Sequence, residues 1–414
     1  MTSLLVALVL SASSGPRFIE DDYAKALKTA KQQKKLLFVD AWAPWCHTCV
    51  AMKEQVFSRD SFKAFEKDVV FASVDTEKTR SAAFLDKFPV DVWPTLLFID
   101  PQKETVVLKW LGSADEAQMQ ALLEAARGGD GVVREADDAL AAGNSGIAAE
   151  KYEAAVQQGD LKARTLLSML AAMTLAKKYE PCAKTVVEQL PGFKLAQERV
   201  AALTWGLSCA IELPEGKTRT QQLDLLVSQS LKAVELPGVL PDDTSGLYEV
   251  LVQERSAAKD SEGAKVLATK WLQFLDAEAA KAKSPGERAV FDAHRVLAAL
   301  ESGQAAKMVE PLKLSEKELP RDYNPPARLA LVYRELGQLD DALAATDRAL
   351  SKCKEGPRKL RIYETRASIL AKKGDEKGRV KVLNEALTYA KKLPKSQVSA
   401  KRIAMLEAQL KPAP

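Results

Sequence analysis

The chain has 414 residues, 47% hydrophobic and 28% charged. That is a globular composition, and longer than one hydrophobic core serves, so two or more domains are expected. Its net charge of +4 is too small to mark nucleic acid or an anionic membrane as a partner. No run reaches the roughly 18–20 apolar residues of a transmembrane helix.

Residues 4–10 (LLVALVL) are apolar and are followed by the small residues Ser11-Ala12-Ser13-Ser14-Gly15. An export signal is expected there, ending near residue 17, although a basic leading segment is missing. An outer strand or a disordered start is the alternative. Periplasmic or other export is therefore expected, with the cytoplasm as the other location.

Helical periodicity over residues 20–31 precedes an apolar strand at 36–40, and the chain reaches Trp45-Cys46-His47-Thr48-Cys49 through Pro44. Two cysteines separated by two residues can close a small disulfide and reopen it. Helix-forming residues 50–55 come next, which places Cys46 at a helix N-terminus. Unpaired N–H groups and the helix dipole favour a thiolate there, the nucleophile of disulfide exchange. A strand follows at 69–75, a helix at 79–88, and a strand after Pro94. A polar turn at 101–104, a hairpin strand at 105–110 and a closing helix at 117–127 complete this part.

The run Val39-Asp40-Ala41-Trp42-Ala43-Pro44-Trp45-Cys46-x-x-Cys49, with Trp93-Pro94-Thr95 downstream, resembles the thioredoxin superfamily. The resemblance implies an α/β thioredoxin fold over residues 18–127, with a mixed sheet flanked by helices. It also implies a cis proline at Pro94 beside the cysteines, a bond almost confined to X–Pro, and a backbone at Trp93 that pairs with extended substrate. Asp40 falls where the family keeps a buried carboxylate that manages the proton on the second cysteine; capping a strand end is the other reading. Phe71 stands where a lysine partner for that carboxylate is common. His47-Thr48 between the cysteines, and the Val56-Phe57-Ser58 continuation, are similar to the periplasmic C-terminal domain of the thiol:disulfide interchange reductase. That branch implies reduction of protein disulfides, with an upstream dithiol donor and no cofactor beyond the Cys46–Cys49 pair.

Cys46 and Cys49 could instead be half of a zinc site. No second CxxC exists and the chain has only two histidines, whereas tetrahedral zinc needs four ligands, so no metal is expected. His47 is expected to face solvent and tune the thiolate. Trp42 and Trp45 should divide between the core and the rim of the substrate groove, with Trp93 shaping that groove or filling a gap. Cys182, Cys209 and Cys353 lie in helical sequence and read as separate buried thiols.

The run Gly128-Gly129-Asp130-Gly131 reads as a hinge at 128–131, after which strand signals nearly vanish. The segment 329–337 with Ala342, Ala349 and Leu350 is similar to the tetratricopeptide pattern. Imperfect copies run through Ala367, Leu370, Gly374 and Ala386, and through Ala136, Gly143, Ala148, Tyr152 and Ala155. Small residues at such spacing let helices approach closely, and each pair needs its neighbours to bury its apolar face. Residues 132–414 are therefore expected to form an all-α solenoid of six to eight helical hairpins with a protein partner. The expected function is a thiol:disulfide oxidoreductase using Cys46 and Cys49, with Asp40 assisting and Trp45, His47, Trp93 and Pro94 at the substrate. A binding-only adaptor and an oxidase or isomerase of exported proteins are the rivals.

Overall fold

A computed structural model describes residues 15–128 and 131–410. The expected export signal at 1–17 thus lies almost wholly outside the described residues, as do positions 129–130 of the glycine run.

The N-terminal lobe comprises β1 (Ile19–Glu20), α1 (Tyr23–Gln33), β2 (Leu36–Trp42), α2 (His47–Ala51), β3 (Val69–Asp75), α3 (Ala82–Lys87), β4 (Thr95–Asp100), β5 (Thr105–Leu111) and α4 (Glu116–Gly128). Its strands form one mixed sheet in the order β1-β3-β2-β4-β5, with β1 and β2 parallel to β3 and β4 antiparallel to β2 and β5. The sequence pattern does not show β1, because two residues carry no alternation.

Side chains alternate between the faces of a strand, and β2 divides accordingly. Leu37, Val39 and Ala41 pack with Ala26 and Ala30 of α1 and Phe84 of α3. Phe38 packs on the opposite side with Met52, Val56 and Phe57. The predicted helix after the cysteines does not continue as one α-helix. It stops at Ala51 and gives way to a π-helical turn, Met52–Phe57, and then a 3-10 segment, Asp60–Lys67. The wider π turn accompanies burial of Met52, Val56 and Phe57 together.

The rest is helical. Successive pairs are α5 (Gly131–Ala141) with α6 (Ser145–Gln157), α7 (Ala163–Leu175) with α8 (Tyr179–Gln189), α9 (Ala196–Ile211) with α10 (Lys217–Ala233), and α11 (Pro241–Ala257) with α12 (Ser261–Lys281). After the short α13 (Pro285–Ala289), α14 (Asp292–Glu301) and α15 (Val309–Glu318) meet through a 3-10 turn, Ala305–Met308. Then α16 (Asn324–Glu335) pairs with α17 (Leu339–Lys352), α18 (Arg358–Lys373) pairs with α19 (Glu376–Ala390), and α20 (Ala400–Gln409) closes the described solenoid. Seven pairs among the described residues fall within the expected six to eight.

Small residues make the close contacts. Ala136, Ala148 and Ala149 are fully buried, and a Cβ at Gly206 of α9 would lie 2.8 Å from the Cβ of Val186 in α8. Cysteine usage corrects the sequence reading. Only Cys353 is a free buried thiol, while Cys182 of α8 and Cys209 of α9 are joined by a disulfide. Packing of consecutive helices brings these two together, and a separation of 27 residues carries no motif to announce it.

The solenoid and the sheet lobe share one apolar core that runs from Phe38 and Phe98 to Tyr333 and Ile369, and β5 packs on α5 and α7. The glycine run expected to act as a hinge is therefore flanked by lobes that bury surface against each other.

Candidate active site at the lobe interface

Strand β2 delivers Trp42 and, through Ala43-Pro44-Trp45, ends at Cys46, the N-cap of α2. Cys46 and Cys49 are joined in a disulfide, and the Cys49 backbone N–H donates to Cys46 Sγ at 3.0 Å. The orphan donor of the first helical turn is thus aimed at the sulfur that must carry negative charge. The Trp93–Pro94 peptide bond is cis. Cys46 and Cys49 pack in a small cluster with Ala43, Trp42, Trp45 and Trp93, and the Trp45 and Trp93 rings lie 5.2 Å apart. The predicted residues Cys46, Cys49, Trp45, Trp93 and Pro94 are therefore brought to one place.

Asp40 lies inside β2, opposite Ser73 and Leu96. It does not cap the strand, which continues to Trp42. Alternation puts it on the Phe38 face, beneath the segment that follows the cysteines. Its carboxylate is 4% exposed and its Oδ1 makes no hydrogen bond among the described residues. Burial disfavours the anion, Lys53 partly offsets this, and Glu20 adds to it, so the pKa is pushed up to about 7. The cation near Asp40 thus comes from the π turn, while Phe71, where the resemblance implies a lysine partner, packs against Phe38. Asp40 and Lys53 line a cavity of about 350 Å³ with Glu20 and Ser73.

Residues 18–101 match the thioredoxin-like family profile. Thioredoxin H3 of Arabidopsis thaliana is 36% identical over 89 residues, which are 21% of this chain and 71% of that protein.

The chain belongs to the thioredoxin family.

Thioredoxin H4 of the same plant is 33% identical over 101 residues, 24% of this chain and 79% of that protein. Among solved structures, a tetratricopeptide repeat protein from Parabacteroides merdae aligns with a TM-score of 0.43 at 13% identity, covering 67% of this chain and 97% of that one. The C-terminal part of a TPR repeat-containing protein from Cytophaga hutchinsonii aligns at 0.38 and 12% identity, covering 64% and 97%.

In this thioredoxin-family protein the solenoid meets the cysteine face directly. Asn324 of α16 donates from Nδ2 to the Pro44 carbonyl at 3.0 Å. Glu77, after β3, accepts from Trp45 Nε1 at 2.7 Å and from the Arg358 backbone N–H at 2.7 Å. The Arg358 guanidinium lies 5.2 Å from the Trp45 ring centre, a cation–π arrangement. Gln397 Nε2 donates to the carbonyls of Thr76 and Lys78. His47 departs from expectation. It does not project freely into solvent but contacts Asp242 of α11 at 2.8 Å and lies against His294 of α14, with ring centres 3.7 Å apart and the planes tilted by 49°. Beside these contacts Cys46 is 5% and Cys49 1% exposed.

The interface is electrostatically tuned. Burial raises the Glu77 carboxyl to about 7 against the hydrogen bonds from Arg358 and Trp45, which favour the anion. Burial would also raise Asp242, but His47, by charge and hydrogen bond, and the charge of His294 reverse this and hold it at about 2. For His47, burial lowers the pKa and Asp242 more than restores it, so it is raised overall. His294 is lowered by burial and by the charge of His47.

Sequence reading does not single out Lys53, Glu77, Asp242, His294, Asn324 or Arg358. The only signal for His294 is scarcity, since it is one of two histidines in the chain. Gly356 offers a direct check on lobe docking. Its φ is +92°, and a Cβ there would lie 2.6 Å from the Glu77 carbonyl oxygen. Gly356→Ala should therefore loosen the Glu77–Arg358 contact. After reduction, Cys46 should then be alkylated several-fold faster than in wild type by a small maleimide, followed by mass spectrometry. An unchanged rate would show that this contact does not shield the thiol.

Proposed function

We propose that the protein is a thiol:disulfide oxidoreductase acting on protein disulfides in the reducing direction. The observation that carries this reading is Cys46 at the N-cap of α2, with the Cys49 N–H on its sulfur, in one cluster with Trp93 of the cis Trp93–Pro94 pair. In the reduced enzyme the Cys46 thiolate attacks one sulfur of a substrate disulfide. The substrate S–S bond breaks, the departing thiolate takes a proton, and a mixed disulfide forms. Cys49, deprotonated with Asp40 as base, then attacks Cys46 Sγ, closing the Cys46–Cys49 disulfide and releasing the second substrate thiol. Two electrons leave the enzyme dithiol, and an upstream dithiol donor must return them. The sulfurs carry the electrons, so the chemistry calls for no cofactor. Trp45, Trp93 and Pro94 are assigned to flank the substrate backbone.

The helical lobe takes a role in this reading that differs from a separate docking arm. It frames the approach to the cysteines: a cavity of about 400 Å³ is lined by Trp45, Trp93 and Glu77 from one lobe and by Arg358, Arg361 and Arg402 from the other. Selection of protein partners by the solenoid is assigned to this rim. Export to an oxidising compartment is supported by the Cys182–Cys209 disulfide, which lies outside the redox pair, because such bonds persist where thiols are not kept reduced.

The low exposure of Cys46 favours one second reading, an adaptor whose cysteines do no exchange. Equilibration of the Cys46–Cys49 pair against dithiothreitol or glutathione buffers separates the possibilities. A potential near about −270 mV is expected for a reductase, while about −120 to −180 mV would point to oxidase or isomerase work. Absence of a reversible two-electron couple would leave the adaptor.

A further inference from the structure

The chain contains two histidines in 414 residues, and the fold brings both to one buried point between the lobes. His47 comes from α2, and Asp242 and His294 come from α11 and α14. One donor atom from each of the three lies within 4.8 Å of the others. Asp242 is 4% and His294 1% exposed. Among the described residues His294 Nε2 has no well-aligned hydrogen bond, and its one close polar neighbour is a Glu249 carboxylate oxygen 3.3 Å away, an ion pair when the ring is protonated. Its other nitrogen, Nδ1, lies 2.6 Å from Ser245 Oγ, which accepts the Trp271 N–H at 2.6 Å. The tautomer that donates from Nδ1 to Ser245 leaves Nε2 with a free lone pair. Metal-binding imidazoles are oriented in this way, with the remote nitrogen donating to an outer partner. In that tautomer Nε2 cannot donate to Glu249, a buried acceptor left without a donor is costly, and a cation supplies the partner.

We propose that His47, Asp242 and His294 form a divalent-cation site of the zinc type that bridges the two lobes beside the cysteines. Two imidazole nitrogens and a carboxylate oxygen suit zinc, which in open sites takes three protein ligands and one further group. Zinc–nitrogen bonds of about 2.0–2.1 Å require the donors to draw inward, with the cation replacing the His47–Asp242 hydrogen bond. Entry is available through a cavity of about 180 Å³ whose lining includes His47, Thr48 and Asp242. Because one ligand comes from the thioredoxin lobe and the others from the solenoid, the bound ion fastens the two lobes together beside the cysteine segment.

The test uses the full chain with Cys46–Cys49 oxidised, so that neither sulfur competes as a ligand. Protein stripped with a chelator is titrated with zinc chloride by calorimetry, and retained metal is counted after gel filtration. One equivalent is expected. Asp242→Asn and His294→Gln, which keep side-chain size, should each weaken binding at least about tenfold, while a Cys46→Ser/Cys49→Ser protein should keep it. Failure of the oxidised wild type to retain zinc would overturn the site. So would binding that survives both substitutions, or that vanishes with the cysteines.

Discussion

Replacing Cys46 by serine is expected to reduce catalysed disulfide reduction to the uncatalysed background. A serine hydroxyl does not ionise near neutral pH, whereas the Cys46 sulfur sits where the Cys49 N–H and the start of α2 favour the anion. Cys49→Ser should behave differently. The first attack remains possible but the resolving thiol is gone, so the enzyme should accumulate as a mixed disulfide, one substrate per chain. A turbidity assay of insulin reduction measures the first variant, and non-reducing electrophoresis with mass spectrometry measures the second. Activity of Cys46→Ser within tenfold of wild type would sink the oxidoreductase reading and leave the adaptor. Equal losses without trapping by Cys49→Ser would remove the assigned order of attack.

Asp40→Asn is expected to stabilise the oxidised protein at pH 8 while slowing turnover. The carboxyl titrates at about 7 when folded, pushed up chiefly by burial, and at about 3.9 when unfolded. Between these values the unfolded chain has lost its proton while the folded chain keeps it, so stability falls as pH rises through this window. Above pH 7 the full penalty applies, about 4 kcal/mol as an upper bound. Below pH 4 both states are protonated and the penalty is absent. Urea denaturation of wild type and variant at intervals from pH 4 to 8 should give a difference that grows with pH. Because Asp75, Glu77 and Asp243 are also raised by burial, the difference between the two proteins is the quantity to follow. A pH-independent difference would show that Asp40 does not titrate in this window. Slower turnover is expected because the buried base assigned to Cys49 is removed, which a single-turnover measurement of mixed-disulfide decay resolves.

Much of the thioredoxin lobe was legible because its signals are local. The apolar run of β2 ends just before a CxxC, β3 is a mostly apolar run buried throughout, and Pro94 follows a tryptophan just before β4. Each feature occupies a few consecutive residues, and the periods of strand and helix are properties of such short windows. The solenoid was legible as a class for the same reason, through small residues recurring at helical spacing. The π turn at Met52–Phe57 was not, since α and π turns draw on the same helix-forming residues and tertiary packing selects between them.

The site divides along the same line. Sequence by itself determined the two cysteines at a helix start, because they are close in the chain; the carboxylate at Asp40 and the proline loop were legible through the family resemblance that the motif carries. Only the tertiary structure decided that Lys53 rather than a β3 residue faces Asp40, that Cys182 joins Cys209, and that the solenoid docks on the segment around Cys46. It alone brought His47 to Asp242 and His294, and Trp45 to Glu77 and Arg358. Those meetings join residues on different helices or different lobes. Their proximity comes from how a stack of helices curves back on the sheet, which depends on many small packing contacts at once and leaves no mark at any one position in the chain.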